Sequence, residues 1–202
     1  MAKKIKKVDQ NKAKKKKAIF ESAIENFAKN GFHNTSMSDI AKSAGVADGT
    51  LYLYYKNKDD LMIKVFNEMV DEKLELIQEA IKDEKNPLEK LYKVFEYHIE
   101  LFTNNPDYVR FFVQEVRQSP EFYDRFPDFH PINKYLSLLE DLIKECVDKG
   151  YMKQIDPVLA AKILYGSIDF ILSEWSLRKD NLPLKNIYKN VIDIFHNGMK
   201  YE

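Results

Sequence analysis

The stretch from Ser36 to Tyr55 constrains the chain most: Ser-Met-Ser-Asp-Ile-Ala-Lys-Ser-Ala-Gly-Val-Ala-Asp-Gly-Thr-Leu-Tyr-Leu-Tyr-Tyr. Ser36 is placed to cap a short helix, its hydroxyl accepting from the backbone N–H of Asp39. The Asp39 carboxylate can reach back and complete a capping box. Ile40, Ala41 and Ala44 fall on one face, and Ala41 is small where two helices cross closely. Gly45 follows, where a sharp turn makes a Cβ costly. Val46 is apolar just past the turn, and Leu51 and Tyr54 lie one turn apart on a second short helix. A small residue, a turn glycine and three apolar anchors at these offsets describe a helix-turn-helix, whose second helix enters the DNA major groove.

Charge is distributed to match. The chain is neutral overall, yet residues 1–17 hold nine lysines against Asp9 alone, a local charge of +8. Residues 18–58 balance, which leaves −8 for residues 59–202. Residues 1–11 read as a disordered basic arm. Such an arm is either a phosphate-binding element or merely a solubilising tail; beside a helix-turn-helix the first reading is favoured.

The rest reads as all-α, in about nine helices. The 202 residues are 45% hydrophobic and 13% aromatic, with six Gly, seven Pro and no alternating strand pattern. Apolar residues Ile19, Ala23, Ile24, Phe27 and Ala28 predict a first helix from about residue 12 that stops at Gly31, with Phe32 plugging the small core. The motif helices follow at about 37–44 and 48–55. Residues 12–57 thus read as a three-helix DNA-binding domain, and 58–202 as a second, larger helical domain. The second domain opens with a long helix over about 58–83, capped by Asn57. Further helices start at Pro87, after Pro106, at about 131 and after Asp156-Pro157, and the last follows Pro183. Residues 119–131 read as irregular, broken by Pro120, Pro127 and Pro131.

Several classes of function find no support. His33, His98, His130 and His196 lack metal-ligand spacing, and Cys146 sits on an apolar stripe and reads as packing. No phosphate-binding glycine loop or nucleophile elbow is present, so neither an enzyme, a metal nor a cofactor is expected. One cysteine, no signal-like apolar segment and no apolar run of membrane-spanning length lead to a cytoplasmic protein with no membrane partner.

The run Asp39-Ile40-Ala41, then Ala44 through Leu61, resembles the DNA-binding signature of the TetR family of bacterial transcriptional repressors. Two residues depart from it: Leu53 stands where many members carry His, which removes a polar group that could touch DNA, and Tyr55 stands where Phe is usual. The resemblance implies a dimeric repressor on a pseudo-palindromic double-stranded operator, with half-sites about 34–36 Å apart or a larger spacing. Ala47, Asp48, Gly49, Thr50, Tyr52 and Leu53 are the candidates for base edges. Gly49 permits close backbone approach, and Thr50 can meet a phosphate or a thymine methyl. Asp48 either caps its helix or reads a cytosine amino group. The family implies phosphate contacts from Tyr54 and Lys58, with Thr35 or Ser36 doing the same; packing is the competing role for Tyr54.

The same resemblance implies a small hydrophobic effector inside the bundle, whose binding favours the conformation that cannot grip DNA. Phe95, His98, Phe102, Phe112, Arg117, Tyr135, Leu139, Ile143, Phe170 and Trp175 are the candidate lining. The segments Gln114–Ser119 and Gly166–Asp169 are similar to FadR-type repressors of fatty-acid degradation, which points to long-chain acyl-CoA as effector. Arg117 is then a partner for a phosphate or pantetheine group, or else a salt-bridge arginine. A planar hydrophobic drug, as in regulators of efflux systems, or another lipid is the rival effector. The last two helices carry apolar residues on more than one face, so Ile171, Ile187, Val191 and Ile194 are expected at a homodimer interface.

Overall fold

The computed structural model describes residues 2–115, 120–178, 184 and 187–199. Among them are ten helices and no strand: α1 Ala2–Asn34, α2 Met37–Ser43, α3 Asp48–Tyr52, α4 Lys58–Ile81, α5 Pro87–Asn104, α6 Pro106–Glu115, α7 Pro120–Arg125, α8 Asn133–Asp148, α9 Pro157–Arg178 and α10 Ile187–Met199. The additional helix, α7, occupies part of the segment expected to be irregular. No helix among the described residues is long and apolar enough to cross a membrane.

The chain divides into two compact units. One holds Met1–Glu68 with Arg110–Phe129, the other Met69–Val109 with His130–Glu202. In this division the first part of α4 and the segment 110–129 group with the motif helices, across the expected boundary at residue 57. The reason is an aromatic core. Phe66 is buried among Phe111, Phe112 and Phe129, with ring centroids 5.5, 5.2 and 5.7 Å away. Phe27 of α1 stacks nearly parallel on Phe111 at 5.7 Å. Aromatic pairs at these separations favour packing beyond the area they bury.

The expected disordered arm over 1–11 is helical in its backbone from residue 2, because α1 begins at Ala2. Residues 2–17 contain no Gly or Pro and are rich in Lys and Ala, which are good helix formers. Residues 11–17 are exposed, and Lys16 among them pairs with Glu68 of α4 at 2.8 Å. The expected stop at Gly31 is present as a break: Gly31 has φ 76° and ψ 160°, and one further turn follows to Asn34.

The turn chemistry follows the sequence closely. Asp39 N–H donates to Ser36 Oγ at 3.1 Å, and Ser36 N–H donates to Asp39 Oδ2 at 3.0 Å, closing the capping box. The Ser36 hydroxyl and then the Ser36 N–H, both donating to Asp39 Oδ2, hold that carboxyl below the usual range. At the other end of α2, Gly45 has φ 65°; its N–H donates to Lys42 O at 3.2 Å and that of Val46 to Ala41 O at 3.0 Å. That pair is a Schellman turn, which a left-handed residue must close. Asn57 caps α4 as expected, accepting from Asp60 N–H at 2.8 Å. One anchor differs. Tyr54 is half-buried, and Tyr55, four residues after Leu51, is the ring turned fully inward. Phe32 is likewise half-buried rather than a core plug.

In the second unit α8 packs on α9, α5 on α8, and α10 on both α5 and α9, so four helices enclose one core. Leu91, Val94 and Phe95 of α5, Leu139, Ile143 and Cys146 of α8, Leu164 and Ile168 of α9, and Ile192 of α10 are buried there. Asn86 caps α5 by accepting from Leu88 N–H at 2.9 Å, and Asp156 caps α9 by accepting from Val158 N–H at 2.9 Å. Two tyrosines tie α10 to α5: Tyr188 donates to Glu96 at 2.6 Å, and Tyr92 donates to Asp193.

Candidate nucleic-acid interface and effector region

The motif helices sort the expected DNA-facing residues. Leu51 is buried and anchors α3, which turns Ala47, Asp48, Gly49, Tyr52 and Leu53 outward. Tyr52 is 54% exposed and Leu53 83%. Thr50 and Tyr54 are half-buried. Ser36 is exposed, but its hydroxyl is engaged with Asp39.

Thr35 leaves the set. It is only 2% exposed, and its hydroxyl donates to Gly31 O at 2.9 Å and lies 3.2 Å from Asn26 O. It satisfies carbonyls left by the break at Gly31 and presents nothing outward. Lys58 has a second role that its sequence position did not reveal. Its Nζ donates to Phe32 O at 2.7 Å and His33 O at 3.3 Å, and lies 4.4 Å from the centre of the Phe32 ring.

The expected effector residues are divided. Phe95, His98, Phe102 and Tyr135 come together in the second unit: His98 lies 6.4 Å from Phe95, 4.6 Å from Phe102 and 5.2 Å from Tyr135 between ring centres. Tyr165, not anticipated, joins through Tyr135 at 5.8 Å. Leu139 and Ile143 are fully buried in the same unit. Burial pushes the His98 imidazolium down to about 3, so the ring is neutral at physiological pH. The Tyr135 hydroxyl is buried with no hydrogen-bond partner among the described residues, and burial raises it further above the ordinary tyrosine range.

Phe112 belongs to the first unit, packed on Phe66. Trp175 is half-buried. Phe170 is corrected outright: at 64% exposure it faces away from any interior. Helix α9 carries two apolar stripes; Ala160, Leu164, Ile168 and Leu172 took the core, which leaves Phe170 outside with Leu159 and Ile163. Arg117 lies outside the described residues. Of the expected dimer residues, Ile194 is 76% exposed, and Ile171, Ile187 and Val191 are half-buried. Leu159 (54%), Ile163 (47%) and Phe170 are further exposed apolar residues, on α9. Their spacing of four and seven was the signal available in the sequence.

Residues 19–65 match the tetR family of bacterial regulatory proteins, and residues 66–198 match the C-terminal region of YsiA-like proteins. The chain belongs to the TetR family. The fatty acid metabolism regulator protein of Bacillus subtilis (strain 168) is 32% identical over 183 residues, 90% of this chain and 93% of that one. Two solved structures resemble it along nearly their whole length. The fatty acid degradation regulator FadR from Bacillus halodurans has a TM-score of 0.84 at 28% identity, covering 91% of this chain and 99% of that one. FadR from Bacillus subtilis in complex with stearoyl-CoA has a TM-score of 0.83 at 32% identity, covering 90% and 98%. The chain is therefore a DNA-binding transcription regulator of the TetR family and not an enzyme. Among the described residues no group of His, Cys, Asp and Glu is placed to hold a metal ion.

Proposed function

We propose that this protein is a cytoplasmic, homodimeric repressor that leaves a pseudo-palindromic operator when a long-chain acyl-CoA enters its second unit. The observation that carries the effector reading is the buried cluster of Phe95, His98, Phe102 and Tyr135, in a chain similar to a FadR that holds stearoyl-CoA. Aromatic and aliphatic walls suit an acyl chain, and the neutral His98 puts no charge among them to be desolvated. The effector acts only through its different affinity for the DNA-gripping and DNA-free conformations.

The dimer reading rests on the apolar surface of α9 and α10. Leu159, Ile163, Phe170 and Ile194 are large apolar side chains left exposed on two helices that pack together, which supports an interaction site there. A second copy of the chain covers it in this reading, and the pair of motifs then addresses two half-sites. The exposed lysines 12, 14, 15 and 17 extend the basic end of α1 toward phosphates.

Native mass spectrometry tests the reading directly, with acyl-CoAs of increasing chain length added to the purified protein. The expected result is a dimer taking one long-chain acyl-CoA per subunit, with free CoA and short chains failing to bind, and release of bound operator DNA at the same ligand concentration. A dimer that ignores every acyl-CoA overturns the effector and leaves hydrophobic drugs as the next class to test.

A further inference from the structure

The outward face of α3 has an unusual chemistry for a helix that reads DNA. Asp48 and Tyr52 lie one turn apart, as do Gly49 and Leu53, so the four form one surface. Residues 47–55 contain no Arg, Lys, Asn or Gln. The side chains that pair bidentately with guanine or with adenine are thus missing from this helix.

What the helix offers instead is Leu53. It is 83% exposed, and its backbone is fixed: φ −71°, ψ −23°, with its N–H donating to Thr50 O at 3.2 Å. The side chain is therefore held outward by the helix end rather than by a loose loop. One turn earlier, Gly49 has open space where a Cβ would stand, with nothing within 4 Å. The fold does not need a glycine there, and its bareness leaves a shallow recess beside Leu53. In the major groove, the base-edge group that an aliphatic side chain recognises is the C5 methyl of thymine.

We infer that Leu53 is a specificity-determining residue, seated against a thymine methyl in each operator half-site. This rests on the DNA-binding reading above and adds the base class that α3 selects. Phosphate contacts supply affinity without sequence information, so an apolar contact to a base edge adds discrimination that they cannot.

The test starts by selecting duplexes from a random pool with the full-length protein, then replacing each thymine of the enriched half-site by deoxyuridine. That exchange deletes only the methyl. At one position the parent protein should lose about fourfold in affinity per methyl, the effect of burying one such group. Leu53→Ala should bind the thymine duplex more weakly and no longer distinguish deoxyuridine at that position. Because Leu53 is exposed, this variant should melt with the parent. If every deoxyuridine duplex binds as tightly as its thymine parent, or if Leu53→Ala keeps the full discrimination, the inference is overturned while DNA binding stands. A pool that yields no enriched duplex overturns the DNA-binding reading and this inference with it.

Discussion

The ammonium of Lys58 closes the end of α1, with its Nζ 2.7 Å from the carbonyl oxygen of Phe32 and 4.4 Å from the centre of that residue's ring. A lysine at a helix C-terminus satisfies orphan carbonyls and opposes the negative end of the helix. An ammonium has three donors, and the Phe32 and His33 carbonyls take two. One N–H remains for a DNA phosphate, so the structural role and the phosphate contact are compatible.

Lys58→Met should therefore act twice. Losing charge-assisted hydrogen bonds and a cation–π contact should cost about 1.5 kcal/mol of stability. Losing a phosphate contact should weaken binding to all duplexes alike and reduce the salt slope by about 1. Urea unfolding and salt-titrated fluorescence anisotropy measure the two effects separately; an unchanged slope would remove Lys58 from the DNA interface.

Tyr55 is 2% exposed, and its hydroxyl is buried with no hydrogen-bond partner among the described residues. Burial pushes that hydroxyl up to about 12. An unpaired buried hydroxyl costs its desolvation, whereas a ring without it packs as before. Tyr55→Phe should leave stability unchanged or raise it by about 1 kcal/mol, with DNA binding intact. A clear loss in thermal or urea unfolding would mean the hydroxyl has a partner.

Gly49 separates stability from recognition. A Cβ there meets nothing within the protein. In a helix Ala is favoured over Gly by about 1 kcal/mol, so Gly49→Ala should fold at least as well as the parent. The added methyl stands on the exposed face of α3 that is proposed to meet DNA, so operator affinity should fall. Circular dichroism melting and anisotropy titration should move in opposite directions.

The DNA-binding end was largely legible because its signals are local. Ser36, Gly45 and Asn57 each specify a hydrogen bond within a few residues, and each is made. The proposed effector lining was less legible because aromatic composition does not say which core a ring joins. Phe111, Phe112 and Phe129 lie far along the chain from Phe27 and Phe66, yet pack in the same unit. Helix α9 posed a different difficulty. It is apolar on two faces, and only tertiary packing decides that Leu164 and Ile168 are inside and Phe170 outside. Thr35 and Lys58 were missed as structural groups because the carbonyls they satisfy are exposed only by the break at Gly31.

The second unit should lose stability in acid through two separable groups. His98 is neutral when folded, with burial lowering it from 6.5 to about 3. In the unfolded chain it takes a proton below pH 6.5, so the unfolded state binds more protons and stability falls as pH drops from 6.5 toward 3. The slope from this one group approaches about 1.4 kcal/mol per pH unit. Glu84 is lowered from 4.5 to about 2, first by the hydrogen bond from Lys93 at 2.8 Å and then by that from the Asn86 N–H at 3.1 Å. Its contribution is present above pH 4.5 and lost as pH falls from there toward 2. Unfolding curves recorded from pH 7 to pH 3 should therefore show His98→Leu flattening the limb between 6.5 and 5, where Glu84→Gln leaves the slope unchanged. Below 4.5 the Glu84→Gln slope should fall under that of the parent. An unaltered upper limb in His98→Leu would mean that His98 is not neutral in the folded core.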